Sequence, residues 1–409
     1  MGPVKTVPSA NIIRRLNKAA IFNAVRDNHN GISRADVARV TGLSRATVSA
    51  IVEELINASL VREARIGASR GGRRPTILEL NPDAGRVVGV DIGATHLIVA
   101  VADLSGRTLA ECEAPFDIAA GPTAGLEQVS LAVERMLQKA GCSWNDIAMV
   151  AVGVPGPVVT KLGMVVAPPI MPGWDGFPIR QRLQELWNRP VFVDNDADLG
   201  ALGEWTYGAG KGESNLAYIK IGTGIGCGIL LNGEIYRGVL GTAGEIGHVT
   251  ISEDGPPCTC GNYGCLEAMA GGRAIAQRAQ LAVKAGQRTS LAVISVEREV
   301  TAHDVALAAK EGDAVSQQLL SDAGRHIGSA LANLINLLNP GLVLVGGGVV
   351  GAGDYLLNSV RTAVNERSMR PSLQATRIEV AALGRRSTLM GAVSLALTQA
   401  FRGMLRSAE

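Results

Sequence analysis

Aromatic side chains make up only 3% of this 409-residue chain, so any core must be built from Ala, Val, Ile and Leu. Charge is sparse too, 19% against 47% hydrophobic, a balance that excludes global disorder. No uninterrupted apolar stretch has the length to span a bilayer. The longest uncharged run, Ile327 to Gly353, contains Asn333, Asn336, Asn339, Pro340 and the triplet Gly346-Gly347-Gly348. It reads as helix, turn, strand and glycine loop. No apolar core follows the early basic residues, so no secretory signal is expected. Six cysteines in a chain this long do not make a disulfide scaffold, and C-x-x-C is missing. The expectations are a reducing, cytoplasmic location and no membrane partner.

Glycine is plentiful, 50 residues, as in chains with many tight turns or loops closely approached by ligands. Charge is unevenly placed. Residues 1–86 hold 14 Lys and Arg against 7 Asp and Glu, whereas the remainder holds 25 against 30. A basic front on an acidic body points to nucleic acid at one end, a solvated basic tail being the plain alternative.

Within that front, Ser33 and Asp36 form a capping signature, and Gly42 suits a helix C-terminus. Ser44 can cap a second helix, in which Val48, Ile51, Val52, Leu55 and Ile56 form one apolar stripe. Its first turns present Arg45, Thr47 and Ser49. This is helix–turn–helix spacing, with the second helix offering its N-terminal residues to the major groove. An earlier helix, roughly Ile12–Asp27, would complete a three-helix core through Leu16, Ile21, Ala24 and Val25. Leu60–Ile66 and Thr76–Leu80 read as strands around a basic loop, Gly67 to Pro75, carrying Arg70, Arg73 and Arg74. A hairpin tipped with arginine is the wing of a winged helix, suited to phosphates or a narrow minor groove. Asn81 to Gly85 reads as a linker. The expected domains are a winged helix-turn-helix over 1–80, a linker over 81–86 and a body over 87–409.

The body opens with strands Val87–Asp91, Leu97–Ala102 and Leu109–Glu113. Asp91-Ile92-Gly93-Ala94-Thr95 lies at the first turn. Gly222-Thr223-Gly224-Ile225-Gly226 lies at the equivalent turn of a second set beginning at Leu216, and the glycine triplet follows Leu342–Val345. Such turns let backbone amides approach phosphate; each alone is equally a tight hairpin. A P-loop is excluded because Gly210-Lys211 lacks the earlier glycine and the following hydroxyl, with Trp205 and Gly212 in those places. The full dinucleotide fingerprint is absent as well. The order of the three turns suggests a duplicated, two-lobed actin-like (ribonuclease-H-like) ATPase fold, α/β in class. Its lobes would cover roughly 87–200 with the C-terminal helix, and 201–385.

Between the first two turns stands Asp194-Asn195-Asp196-Ala197-Asp198. A calcium loop would need Gly and Glu where Leu199 and Trp205 stand. A carboxylate beside an amide at a strand end suits sugar hydroxyls, and a carboxylate can take the proton of a hydroxyl attacking phosphorus. A solvated acidic turn is the other reading. Farther on, His248 with Cys258, Cys260 and Cys265 supplies three thiolates and one imidazole, a tetrahedral zinc set with no open position and hence structural. Three buried thiols are the alternative. Trp174 is either a sugar-stacking or a core tryptophan.

Taken together, the Gly-Gly-Arg-Arg-Pro wing, Asp91-Ile92-Gly93, Gly153-Val154-Pro155-Gly156, Asn195-Asp196, Glu245-x-x-His248 and the cysteine loop resemble the ROK family, named for repressor, open reading frame and kinase. The winged front resembles its repressor branch, which includes regulators of xylose, glucose and N-acetylglucosamine use. The resemblance implies that Asn195, Asp196, Glu245, His248 and Glu267 contact sugar hydroxyls. It implies that Asp196 is the base if the chain is a kinase, and that Asp91, Gly93, Thr95, Gly222, Thr223 and Gly224 face a phosphate. It also implies that His248, Cys258, Cys260 and Cys265 hold zinc. Ala94 and His96 stand where the kinase branch usually has a second glycine and lysine, and Asp198 where Asn is common, which counts against ATP and magnesium. The expected function is a sugar-responsive regulator, a repressor of carbohydrate-use genes. It would bind double-stranded operator DNA as a homodimer or homotetramer and respond to a sugar or sugar phosphate. An ATP-dependent sugar kinase, or a protein with both activities, is the alternative.

Overall fold

The computed structural model describes residues 10–66, 74–350 and 354–407. The front end runs α1 (Ala10–Arg26), β1 (Ile32–Ser33), α2 (Arg34–Thr41), α3 (Arg45–Asn57), β2 (Val61–Ile66) and β3 (Thr76–Leu80). Each signalled boundary has a local cause. Ser33 Oγ accepts from Asp36 N at 3.2 Å and Ser44 Oγ from Thr47 N at 3.1 Å, capping α2 and α3. Gly42 ends α2 at φ 70°, where a Cβ would be strained. Val37, Val48, Ile51, Val52 and Leu55 are buried with Ile21, Phe22, Ala24 and Val25 of α1. Leu16, expected in this core, is instead 62% exposed. Five residues before Ile21, it points about 140° away around the helix, and Phe22 fills the core instead. Lys18, almost fully buried, pairs with Glu54 at 2.8 Å and joins α1 to α3. The wing sheet gains a strand that the sequence pattern did not show, in the order β1-β3-β2.

The expected linker is a hydrogen-bonded turn. Asn81 caps a 3₁₀ turn, Pro82–Ala84; its amide donates to Ser59 O at 2.8 Å, and Leu104 N donates to Pro82 O at 3.2 Å.

The body continues with β4 (Arg86–Ile92), β5 (His96–Asp103), β6 (Thr108–Pro115), α4 (Pro122–Lys139), β7 (Ile147–Val154), β8 (Val158–Val159), β9 (Met164–Val165), α5 (Ile179–Trp187), β10 (Val191–Asn195) and α6 (Asp196–Tyr207). There follow β11 (Leu216–Ile221), β12 (Ile225–Leu231), β13 (Glu234–Ile235), α7 (Leu266–Ala270), α8 (Gly272–Lys284), α9 (Leu291–Glu297), α10 (Ala302–Lys310) and α11 (Ala314–Leu338). The chain closes with β14 (Leu342–Gly346), α12 (Asp354–Arg367), α13 (Arg370–Ala375), β15 (Arg377–Val380) and α14 (Ser387–Ser407).

Two five-stranded sheets result, β6-β5-β4-β7-β10 and β13-β12-β11-β14-β15. In each, an antiparallel meander of three strands is extended by two parallel ones. The inner parallel strands β7 and β14 are buried and read as continuous apolar runs, Ile147–Val154 and Leu342–Gly346. This repetition is the duplicated two-lobed actin-like fold. Trp174 is wholly buried and donates to Ile118 O at 3.0 Å, so it is a core residue. Among the described residues, no helix is long and apolar enough to cross a membrane.

The C-terminal α14 returns to the first sheet and lies against α6. The two helices pass so closely that a Cβ on Gly391 would fall 1.7 Å from Leu199 O. Beside this crossing, the fully buried Glu204 carboxylate accepts from Ala209 N, Ala382 N, Leu383 N and Ser387 Oγ at 2.7–3.1 Å. A charged acceptor satisfied by four donors contributes about 1.5–3 kcal/mol per bond. Glu204→Gln is therefore expected to lower the urea midpoint of the body, the amide being unable to accept at both ends; an unchanged midpoint would show that the charge is not needed.

Candidate functional site

The floor between the lobes is set by a strand-to-helix junction. β10 ends at Asn195, whose side-chain carbonyl accepts from Ala197 N at 2.8 Å and Asp198 N at 3.1 Å, starting α6 at once. Its amide donates to Gly156 O at 3.0 Å, tying the junction to the loop after β7. Asp196 thus stands in the first turn of α6, where the helix dipole favours a carboxylate. Asp194 is buried and pairs with Arg237, a residue the sequence reading did not single out.

Lys220, also not singled out, reaches Asp196 Oδ2 at 2.8 Å and Thr388 Oγ1 at 3.2 Å, and lies 4.0 Å from Asp91 Oδ1. Burial alone would lower its pKa, but the Asp196 and Asp91 charges hold it above the usual lysine range. Its signal was a lone charge in the apolar strand Leu-Ala-Tyr-Ile-Lys-Ile. Asp91 is buried, Gly93 lies in the β4–β5 turn with its N–H donating to His96 O at 2.8 Å, and Thr95 is exposed.

Across the floor, Gly222-Thr223-Gly224 forms the β11–β12 turn, closed by Gly222 N to Gly224 O at 2.9 Å and pinned by Arg273 N to Thr223 O at 3.0 Å. Glu267 Oε2 accepts from Ile225 N at 3.0 Å just beyond it. Burial, then the charges of Asp196 and Glu267, push Glu245 up to about 7. The three expected sugar carboxylates thus share one neighbourhood. Asp198 is buried without a hydrogen-bond donor to either oxygen, and burial followed by Asp194 raises it well above the ordinary range.

Next to this floor, one ligand atom from each of His248, Cys258, Cys260 and Cys265 lies within 4.8 Å of all the others. Backbone bonds from Cys258 N to Asn262 O at 2.7 Å and from Gly261 N to Cys258 O at 3.0 Å curl the loop. His248 ends the 3₁₀ turn that Glu245 precedes, and Cys265 immediately precedes α7, which carries Glu267. The donor set fits a structural zinc ion. Held there, zinc would supply rigidity to the two short elements bearing those carboxylates.

At the far end of the molecule, Arg45 and Ser49 are exposed on α3, as is Arg74 beside β3. The hydroxyl of half-buried Thr47 lies 2.8 Å from Ser44 Oγ within the cap. Arg70 and Arg73 lie outside the described residues. α14 joins the two ends. Thr388 near its start donates to Asp196 O at 2.9 Å, while Phe401 near its other end meets Phe22 of α1, ring centroids 4.9 Å apart. The Arg26 guanidinium sits 5.9 Å above the Phe401 ring.

A winged helix-turn-helix on a duplicated actin-like body, with an acidic floor between the lobes and a His-Cys₃ cluster at its edge, defines a DNA-binding module built onto a sugar-kinase fold. The ROK family profile matches residues 87–399, and a winged helix-turn-helix DNA-binding profile matches residues 14–62. The chain belongs to the ROK family. It is 32% identical over 387 residues to the xylose repressor of Caldicellulosiruptor bescii, covering 95% of this chain and 96% of that protein. A solved ROK family transcriptional regulator, a homologue of the Escherichia coli MLC protein, superposes with a TM-score of 0.82 at 27% identity, covering 97% and 98% of the two chains. A ROK family glucokinase from Streptomyces griseus, solved with glucose and AMPPNP, superposes with a TM-score of 0.67 at 30% identity, covering 77% of this chain and all of that one.

Proposed function

We propose that this chain is a sugar-responsive repressor of carbohydrate-use genes. α3 reads operator DNA in the major groove through Arg45, Thr47 and Ser49, and the wing arginines Arg70, Arg73 and Arg74 anchor the flanking backbone. A sugar binds between the lobes on Asn195, Asp196, Glu245, His248 and Glu267, braced by zinc on His248, Cys258, Cys260 and Cys265. Since His248 cannot donate the same nitrogen to both, one ring nitrogen serves the metal and the other the sugar. The single observation supporting this reading is α14, which touches Asp196 through Thr388 and the winged helix through Phe401.

A ligand shifts operator affinity only if it binds the two arrangements differently. Lobe closure around a sugar would move the second lobe, with Lys220, against Asp196 and Thr388, and α14 would pass the shift on to α1 through Phe401. The junction has room for this: a cleft of about 740 Å³ opens beside Phe401, lined by Arg26, His29, Arg62, Ser105, Tyr207 and Lys211 among others. A homodimer or homotetramer would match palindromic half-sites about one helical turn apart.

The DNA side is tested by salt dependence. Arg74→Ala should weaken operator binding across sequences and reduce the slope of log affinity against log salt by about 1, measured by fluorescence anisotropy. Unchanged affinity and slope would remove Arg74 from the interface.

A further inference from the structure

Transfer of a phosphoryl group from a nucleotide needs a divalent cation to neutralise the phosphates, and hard cations of that kind are held by carboxylates. Facing the interlobe floor of this chain, Asp91 at the end of β4 and Asp196 at the start of α6 are the acids placed for that task. Both already face an ammonium group. Lys220 Nζ lies 2.8 Å from Asp196 Oδ2 and 4.0 Å from Asp91 Oδ1, and is steadied by Thr388 Oγ1 at 3.2 Å. Asp91 Oδ1 is buried and receives no hydrogen bond, so Lys220 is the charge that compensates it.

The first glycine turn is covered as well. A Cβ built on Gly93 would fall 2.2 Å from Cε1 of His96, and His96 Nε2 lies 3.6 Å from Asp91 Oδ2. The imidazole therefore occupies the space through which a phosphate would approach that backbone. A magnesium–nucleotide complex does not fit these residues: its metal position is bridged by lysine and its phosphate turn is capped by histidine.

We propose that Lys220 is a resident cation standing in place of a divalent metal between Asp91 and Asp196, so that the site reads an unphosphorylated sugar and transfers no phosphoryl group. This rests on the reading of the floor as a sugar pocket. A neutral sugar offers hydroxyls, which carboxylates accept. A phosphate ester would bring up to two negative charges against Asp91, Asp196 and Glu267, while the nearby cations are already paired, Lys220 with Asp196 and Arg237 with Asp194. The lysine also bridges the lobes, since β11 belongs to the second sheet and Asp91 and Asp196 to the first lobe and its junction helix. It does without a nucleotide what a bound metal complex would otherwise do, holding the two halves in register.

The test is manganese binding to the full-length, zinc-loaded protein, followed by the loss of the free-ion electron paramagnetic resonance signal. Wild type should show no saturable site. Lys220→Thr and Lys220→Ala should each bind one ion saturably, at least about tenfold more tightly than any residual binding by wild type, and adding Asp91→Asn should abolish that site. Zinc content and thermal unfolding establish that each variant is folded. A saturable manganese site in wild type, or a folded Lys220 variant without one, overturns the proposal. A second measurement needs no variant: thermal shift of the wild type against hexoses, pentoses, N-acetylhexosamines and their terminal phosphate esters. Stabilisation by a free sugar but not by its ester is expected, and stronger stabilisation by the ester overturns the proposal. If no sugar of either kind binds, the sugar-pocket reading fails, while the manganese result still decides the role of Lys220.

Discussion

Phe401→Ala is expected to give a protein that still binds operator DNA but no longer releases it when sugar is added. In the winged helix Ile21, Phe22, Val37, Val48, Ile51 and Leu55 are buried in a cluster that runs on through Phe22 to Phe401 of α14; Phe401 lies at its edge, so the DNA-reading surface is expected to keep its fold without that ring. What Phe401 supplies is the aromatic contact between α14 and α1. Truncating a buried phenylalanine costs about 3–5 kcal/mol, and here the loss falls where the buried cluster passes from α14 to the winged helix. Couplings between sites are typically about 1–3 kcal/mol, a change of about 5- to 150-fold in affinity. In the variant that ratio should collapse to below about twofold, measured as operator Kd with and without saturating sugar. A variant that keeps the full ratio would show that the signal does not pass through α14.

Cys265→Ser carries the second large effect. Wild type should contain about one zinc per chain by elemental analysis, and the variant close to none, because the four donors leave no spare ligand. Cys265 is buried and adjoins α7, so losing the metal frees the helix that positions Glu267. The rise in melting temperature produced by sugar should vanish with the zinc, while operator binding without sugar should persist, since the winged helix lies at the other end of α14. Full zinc retention would remove Cys265 from the ligand set.

Much of this arrangement was legible in the sequence because it depends on local chemistry. Ser33 and Ser44 cap helices through their own hydroxyls, Gly42 ends one by its backbone, and the cysteine loop folds on its own short-range hydrogen bonds. The two-lobed plan followed from three glycine turns in order. Features that depend on distant partners were not legible. Leu16 continued the apolar count of α1, yet the helix turns it outward and Phe22 inward to meet Phe401, almost four hundred residues away in sequence. Three of the four donors to Glu204 arrive only when the chain returns to α6 at Ala382, Leu383 and Ser387. Lys220 and Arg237 acquire meaning only when folding sets them against Asp196 and Asp194. His96 departs from the family pattern at the first glycine turn, but it comes to lie over Gly93 only once β4 and β5 pair.

The most direct measurement is anisotropy of a labelled duplex from the protein's own promoter region, titrated with full-length, zinc-loaded protein against a panel of free sugars. The proposed function predicts tight binding without sugar and at least about a fivefold loss of affinity with one of them. Equal affinity whichever sugar is present, or no binding to that duplex at all, would contradict it.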